Sequence, residues 1–444
     1  MAIAFACLAV VSFAGCSDPE EENPGGGNPV IPPTGELTEL TSPIDKNTTL
    51  LDLGLDVDYF FAGSNLEVTN NAVLTIKPGV TIKFTKEDGR LVIKNGSTLK
   101  AEGLPKLLDA EGKVVSVAGV ELDGHIKFIG ASTNKGAWRG IQIESVTANT
   151  LEYVEILNAG GENTDNSAAL YLDNGKVSVT NSIIDRSSSN GITIASQSDN
   201  IAGELTAFSN NTVSNNGKAP IYTYSYTSIY ALRNLSNNNT FTGNTNDYIH
   251  IMENSGWQIL GSMTLHHLNG YPYYFQQGLY LDDDKTLTIE PKTTILMGAS
   301  QGIRVYADAH LLAAGTAENP ITIKGRNDNA GYWQGIEVSS QTPGTTFDYC
   351  NISGGGAGSG ADDGLIKYYA NSYLELYNSN LSKSLHSGVV CQYSSSSFNV
   401  HYNAQFKQSN VTFSEITNAV FRIAEPDAGS FAALPATGSS WWQY

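Results

Sequence analysis

Cleavage of a glycosidic bond requires two carboxyl groups facing each other across the scissile linkage. The sequence offers Asp165, within Asn163-Thr164-Asp165, and the pair Asp362-Asp363. Segments flanking the two repeat with almost the same offset, so they occupy corresponding places in a duplicated chain, not one site. β-Elimination instead requires a strong base beside a cation held by several carboxylates. Asp282-Asp283-Asp284, followed by Lys285, is the densest acidic cluster beyond the N-terminal segment. Consecutive strand residues point to opposite faces, so the run reads as a solvated turn. A calcium site there is a weak option, and no cofactor is expected.

The other reactive residue types form no known machinery. His125, His250, His266, His267, His310, His386 and His401 show no metal-ligand spacing. No serine-nucleophile elbow or phosphate loop is present, and the glycine-rich run 354–360 reads as a corner. Cys350 and Cys391 fall in the inward series of their strands and read as buried, unpaired thiols. Trp138 and Trp333, each followed two residues later by Gly-Ile, read as packing landmarks. The run Ile221-Tyr222-Thr223-Tyr224-Ser225-Tyr226 is the most suggestive. Alternation turns Tyr222, Tyr224 and Tyr226 outward along one strand, a line of rings that can stack on sugars or fill a protein interface. Tyr271, Tyr273, Tyr274 and Phe275 form a second aromatic cluster. The ligand-binding candidates are Tyr222, Tyr224, Tyr226, Tyr273 and Tyr274. No catalytic residue and no metal ligand is assigned.

The elements that must carry these residues are strands. The 444 residues hold 44 glycines, only 16% charged residues and a formal charge of −19. That balance excludes a basic nucleic-acid binder and a disordered acidic chain. A rung template recurs five times: Asn, an apolar residue three on, then apolar residues eight and ten further. It starts at Asn181, Asn210, Asn238, Asn378 and Asn410. Asparagine suits left-handed corners, and its amides can stack into ladders. No rung buries its apolar face alone, so stacking must do so.

A longer repeat overlies the rungs. Residues 73–84 match 286–297, Trp138-Arg139-Gly140-Ile141-Gln142-Ile143 matches Trp333-Gln334-Gly335-Ile336-Glu337-Val338, and 151–156 match 347–352. No linker separates the halves, which favours one continuous solenoid with a joint at 252–285.

These segments, with Leu287-Thr288-Ile289-Glu290-Pro291 and the run 314–323, resemble the right-handed parallel β-helix repeats of bacterial surface proteins in the pectin-lyase-like superfamily. The resemblance covers most of 60–425. It implies an all-β right-handed parallel β-helix of roughly 13 rungs, about 60 Å long at ~4.8 Å per rung. It says little about activity, because that superfamily holds lyases, hydrolases, adhesins and proteins without known activity. Its hydrolases pair an Asn-Thr-Asp and an Asp-Asp with Gly-His-Gly and Arg-Ile-Lys, and the last two are absent here.

The first residues read as an address. Met1 to Ala14 is apolar and uncharged, too short to span a bilayer, and leads into Ala14-Gly15-Cys16. This resembles a lipobox with Cys16 as the lipidated residue, although Phe13 replaces the commoner Leu. The lack of a preceding Lys or Arg points to a translation start further upstream. The acidic run 18–22 resembles the surface-export signal of Bacteroidetes lipoproteins. The organisation expected is a signal peptide at 1–15, a tether at 16–36, an N-terminal cap at 37–65, β-helix halves at 66–257 and 258–423, and a C-terminal cap at 424–444 in which Trp441 and Trp442 cover the last rung. The function expected is a lipid-anchored, outer-membrane, surface-facing rod that binds glycan or protein without catalysis, and no nucleic acid. The alternative is a polysaccharide lyase or hydrolase. An enzyme should gather carboxylates, or carboxylates with Lys or Arg, in one cleft on adjacent rungs.

Overall fold

Period-two alternation sends every second side chain of these strands inward. Leu91, Ile141, Leu170, Ile192, Ile221, Ile249, Tyr273, Ile295, Ile323, Ile352 and Leu381 stack in register into one buried column. Each such side chain contributes roughly 1.5–3 kcal/mol of burial. The computed structural model describes residues 35–117, 120–121, 123–161, 164, 167–196, 203–225, 229–252, 259, 261–358, 363–369, 372–392, 406–424 and 431–434. Among them, short parallel strands coil into a β-helix. The column belongs to a sheet of 13 strands that runs from Asn65–Val68 to Thr412–Ile416 without interruption. It crosses the expected joint, where Ile249–Ile251 pairs with Tyr273–Phe275 and that strand with Thr294–Met297. The halves therefore form one continuous solenoid.

Two further sheets flank this long sheet in each half. The first half adds an eight-stranded sheet and a six-stranded sheet; the second adds another six-stranded sheet and a seven-stranded one. Twin strands do not share a sheet. Thr81–Phe84 and Val154–Leu157 lie in the eight-stranded sheet, whereas their twins Thr294–Met297 and Cys350–Ser353 lie in the long sheet. Gly140–Ile143 lies in the long sheet, and its twin Gly335–Val338 in the seven-stranded sheet. The second half is thus turned by one face about the rod axis relative to the first.

Asparagine does at the corners what its chemistry suggests. Asn181, Asn210, Asn378 and Asn410 have φ values of 53°, 57°, 44° and 54°, which few other side chains tolerate. Their amides bond rung to rung: Asn410 Nδ2 donates to Asn378 Oδ1 at 2.9 Å, and Asn378 Nδ2 to Asp348 Oδ1 at 2.8 Å. A second ladder is buried. Asn211 Oδ1 accepts from Ser182 N at 3.0 Å, Asn211 Nδ2 donates to Val179 O at 2.8 Å, and Asn239 Oδ1 accepts from Asn211 N at 3.0 Å.

Short strands extend the sheets at both ends of the rod. Thr38–Glu39 pairs in parallel with Tyr59–Phe61, and Thr48–Leu50 with Val73–Ile76. Within the segment 37–65, short alternating runs thus extend the eight-stranded and six-stranded sheets. At the other end Phe431–Leu434 folds back antiparallel on Phe421–Ala424. Residues 435–444, with Trp441 and Trp442, lie outside the described residues. Cys350 and Cys391 are free and buried, and burial pushes both thiols up.

Replacing Asn211 by Ala strands the buried Ser182 N–H and Val179 carbonyl. The expected loss is about 1–3 kcal/mol, read as a lower urea midpoint at unchanged slope. The same substitution at exposed Asn410 should cost less.

Candidate functional site

The aromatic residues singled out by the sequence do not form an open stacking surface. Tyr222 does sit in an outward register position, beside Thr193 and His250, yet it is only 3% exposed. Its hydroxyl donates to the Met252 sulfur at 2.8 Å, and its ring packs edge-on against His250 at 4.9 Å. Tyr274, 6% exposed, continues the column under Tyr248, and the Arg326 guanidinium lies 5.0 Å from both rings. Tyr273 points inward and is fully buried, its hydroxyl donating to His266 O at 2.8 Å. Only Tyr224 is half-exposed; Tyr226 lies outside the described residues. The expectation of an exposed line is corrected accordingly: the rings are used up on one another. His250 is half-buried, with Nε2 2.6 Å from Gln276 Oε1.

Asp282, Asp283 and Asp284 form the expected turn, with Asp283 and Asp284 at positive φ and Lys285 3.4 Å from Asp283. Asp165 and Asp362 lie outside the described residues.

One carboxylate–histidine cluster was not anticipated. Asp123, His125 and Glu155 place one ligand atom each within 4.8 Å of one another. Lysines occupy the same oxygens: Lys106 lies 2.7 Å from Glu155 and 3.3 Å from Asp123, and Lys127 lies 2.7 Å from Asp123. His125 Nδ1 is 3.0 Å from Glu155. Burial alone would raise the Glu155 carboxyl. The hydrogen bonds from His125 and Lys106, with the lysine charges, outweigh burial and hold it below 4.5. Asp123 is likewise held below 3.8 against burial, chiefly by Lys127. This is an ion-pair network with a structural task. Residues 103–125 are a long excursion, where the other half has only 315–320 between the twin strands. There Thr322 and Asn351 replace Lys127 and Glu155. The charges occur where the excursion must be fastened.

Among the described residues, two of the clefts are twins. The first, of about 290 Å³, lies on the outer surface of the long sheet and is lined by Arg90, Arg139, Gln142, Thr164, Tyr171 and Asp173, over Gly140. The second, of about 360 Å³, lies on the seven-stranded sheet and is lined by Arg304, Gln334, Glu337, Asp363 and Lys367, over Gly335. Register makes them equivalent: Gln142 sits beside Tyr171 as Glu337 sits beside Lys367. Both floors need glycine. Gly140 and Gly335 have φ of +118° and +103°, and an added Cβ would stand 2.4 Å from Ala169 O and 2.6 Å from Leu365 O. Behind each floor is the matched tryptophan, fully buried, with Trp138 Nε1 donating to Leu157 O at 2.8 Å and Trp333 Nε1 to Ser353 O at 2.7 Å.

The walls have diverged. In the first cleft Asn65 and Gln142 hold the Arg90 guanidinium at 2.7 and 2.6 Å. Burial, with the charge of Glu144, pushes the Asp173 carboxyl up. In the second, Glu337 accepts from the Tyr369 hydroxyl at 2.7 Å and lies 3.7 Å from Arg304 and 3.8 Å from Lys367. Lys367 also lies 3.9 Å from Asp363. Burial, and the bond to Glu337, push the Tyr369 phenol up, so it stays protonated and serves poorly as a base.

Residues 167–327 match the family model for the right handed beta helix region. The chain is a right-handed parallel β-helix. The match spans strands on both sides of the joint, consistent with one solenoid. No curated protein matches the chain. The clefts themselves had a sequence signal. It was the matched Trp-x-Gly-Ile segment read for its outward residues, Gln142 and Glu337, rather than for its tryptophan.

Glu155→Gln should destabilise the fold by about 1.5–3 kcal/mol at pH 7. A carboxylate held low in the folded state stabilises above its unfolded pKa, and that contribution vanishes as pH falls through the folded value. The gap in melting temperature between the native protein and Glu155→Gln should therefore hold above pH 6 and close below about pH 4.5. A gap independent of pH would contradict the network.

Proposed function

We propose that this chain is a non-catalytic glycan-binding rod, held at the outer membrane by lipid on Cys16 and facing the surroundings of the cell. The observation that carries the binding reading is the first cleft. It sets a guanidinium, a primary amide, a carboxylate and a phenol around one hollow on a rigid sheet. Planar polar groups of this kind bond pairs of neighbouring hydroxyls, and a tyrosine ring adds an apolar face. Its volume, just under the usual range for small-molecule pockets, suits a single sugar unit. The formal charge of −19 opposes the approach of polyanions, which favours a neutral glycan. The lipid anchor and surface address rest on the N-terminal sequence alone, because Cys16 lies outside the described residues.

A second reading has its own observation. The second cleft places Glu337, Asp363, Lys367 and Arg304 on adjacent rungs, the arrangement expected of an enzyme. Against turnover, both Glu337 oxygens are already engaged, and the neighbouring phenol is pushed toward its protonated form.

The test is a screen of neutral and acidic oligosaccharides that follows binding and product release together. Binding without new reducing or unsaturated ends is expected, with at least a tenfold loss of affinity in Arg90→Ala combined with Asp173→Asn. Sugar release would establish the enzyme reading instead. Separately, Cys16→Ser should abolish incorporation of labelled palmitate; undiminished labelling would remove the anchor from this residue.

A further inference from the structure

The twin clefts do not lie on one line. The first opens on the long sheet, between Arg90–Ile93, Gly140–Ile143 and Ala168–Asp173. The second opens on the seven-stranded sheet, between Gly302–Val305, Gly335–Val338 and Gly364–Tyr369. Counting along the long sheet from Gly140–Ile143 to Ile321–Gly325, the strand that precedes Gly335–Val338, gives seven steps. At ~4.8 Å per step the clefts stand about 34 Å apart along the axis. The one-face turn between the halves also points them in different directions around it. A straight ligand lying along either face meets one cleft and misses the other.

We propose that the molecule holds two separate glycan strands at once, one per cleft, and so bridges them. The inference rests on the glycan-binding reading above and adds its valency. Three observations support it. Both clefts keep a glycine floor that no other residue could supply. Both keep a wall of polar side chains over that floor. The walls have also exchanged residues position by position: Gln142 for Glu337, Tyr171 for Lys367, Arg139 for Gln334. The two strands therefore need not be chemically identical. The second cleft, with charges of both signs, suits a more polar sugar than the first.

The rigidity of the scaffold makes the geometry binding on the ligand. The long sheet runs unbroken between the two sites, so neither cleft can swing round to share a strand held by the other. Bridging then follows from the rod being stiff, with no conformational change.

The experiment uses the full chain and neutral hexasaccharides of glucose, mannose, galactose and xylose. Arg139→Trp and Gln334→Trp are the matched variants. Each places an indole at the equivalent wall of its own cleft and replaces no charged partner of Glu337, although Gln334→Trp removes the 3.3 Å bond from Arg304 Nη2; melting curves confirm folding. Calorimetry on the native protein, with the hexasaccharides titrated singly and in pairs, should reach two per chain, each variant one, and the double variant none. In a sandwich assay, native protein on glycan-coated beads should capture a fluorescent glycan. Each single variant should bind the beads yet lose at least nine-tenths of the capture. A stoichiometry that never exceeds one, and is abolished every time by the same single variant, overturns bridging and leaves the glycan reading intact. Binding that survives the double variant removes the ligand from both clefts and overturns both statements. No binding to any hexasaccharide in the set overturns the neutral-glycan reading itself.

Discussion

A single coil of this chain cannot keep its aliphatic side chains from water; only the coils above and below can do so. Every other feature follows from that dependence. Strands stay short because three or so must close each turn. They pair in parallel because each coil advances in the same sense. The inward residues fall into columns because a parallel neighbour sits directly beneath. Corners then bear the strain, and asparagine resolves it twice over. Its backbone accepts the left-handed turn, and its amide bonds the next corner down. The outer surface is what remains for function, fixed in position by everything beneath it.

How legible this was depended on whether a feature was local. The rung template around Asn181, Asn210 and Asn378 is local, and the inward columns and ladders it implies are present. The buried thiols followed from the same alternation. Tyr222 shows the limit. Alternation correctly turned it outward, but whether an outward ring is exposed depends on neighbours one and two rungs away. There His250, Tyr248, Tyr274 and Arg326 enclose one another. The face slip between halves was not legible either. The repeats report which strands are alike, whereas the sheet each strand joins depends on which strands the chain lays side by side across the joint, where Ile249–Ile251 meets Tyr273–Phe275. The fastening of residues 103–125 was hidden for a similar reason. Lys106, Asp123, Lys127 and Glu155 are scattered in sequence and meet only through pairing of neighbouring coils.

Charge is used on this molecule in two distinct ways. In the excursion network, two lysines and a histidine saturate two carboxylates in a nearly buried site, and the group has little capacity left for chemistry. In the first cleft, charge is presented. Arg90 is steadied by Asn65 and Gln142, and the Asp173 carboxyl, 3.4 Å from Gln142 Nε2, is raised by burial and by Glu144. The second cleft falls between these cases. Glu337 is saturated as in the network, yet it lies on an open wall as in the first cleft. Which residues are steadied and which are saturated separates scaffold from surface better than residue type does.

The face slip also bears on how the chain avoids misassembly. A duplicated solenoid carries near-identical strands that could be traded for one another as it zips up. Gly140–Ile143 and Gly335–Val338 are such a pair. Were both halves in phase, a coil that skipped ahead could seat the second strand on the first one's bed, with its following coils all in step. Out of phase, the second half can take the first half's beds only by turning as a whole through one face, which the pairing of Ile249–Ile251 with Tyr273–Phe275 in the unbroken long sheet opposes. The one-face turn thus ties the exchange of any single strand to a rotation of its whole half.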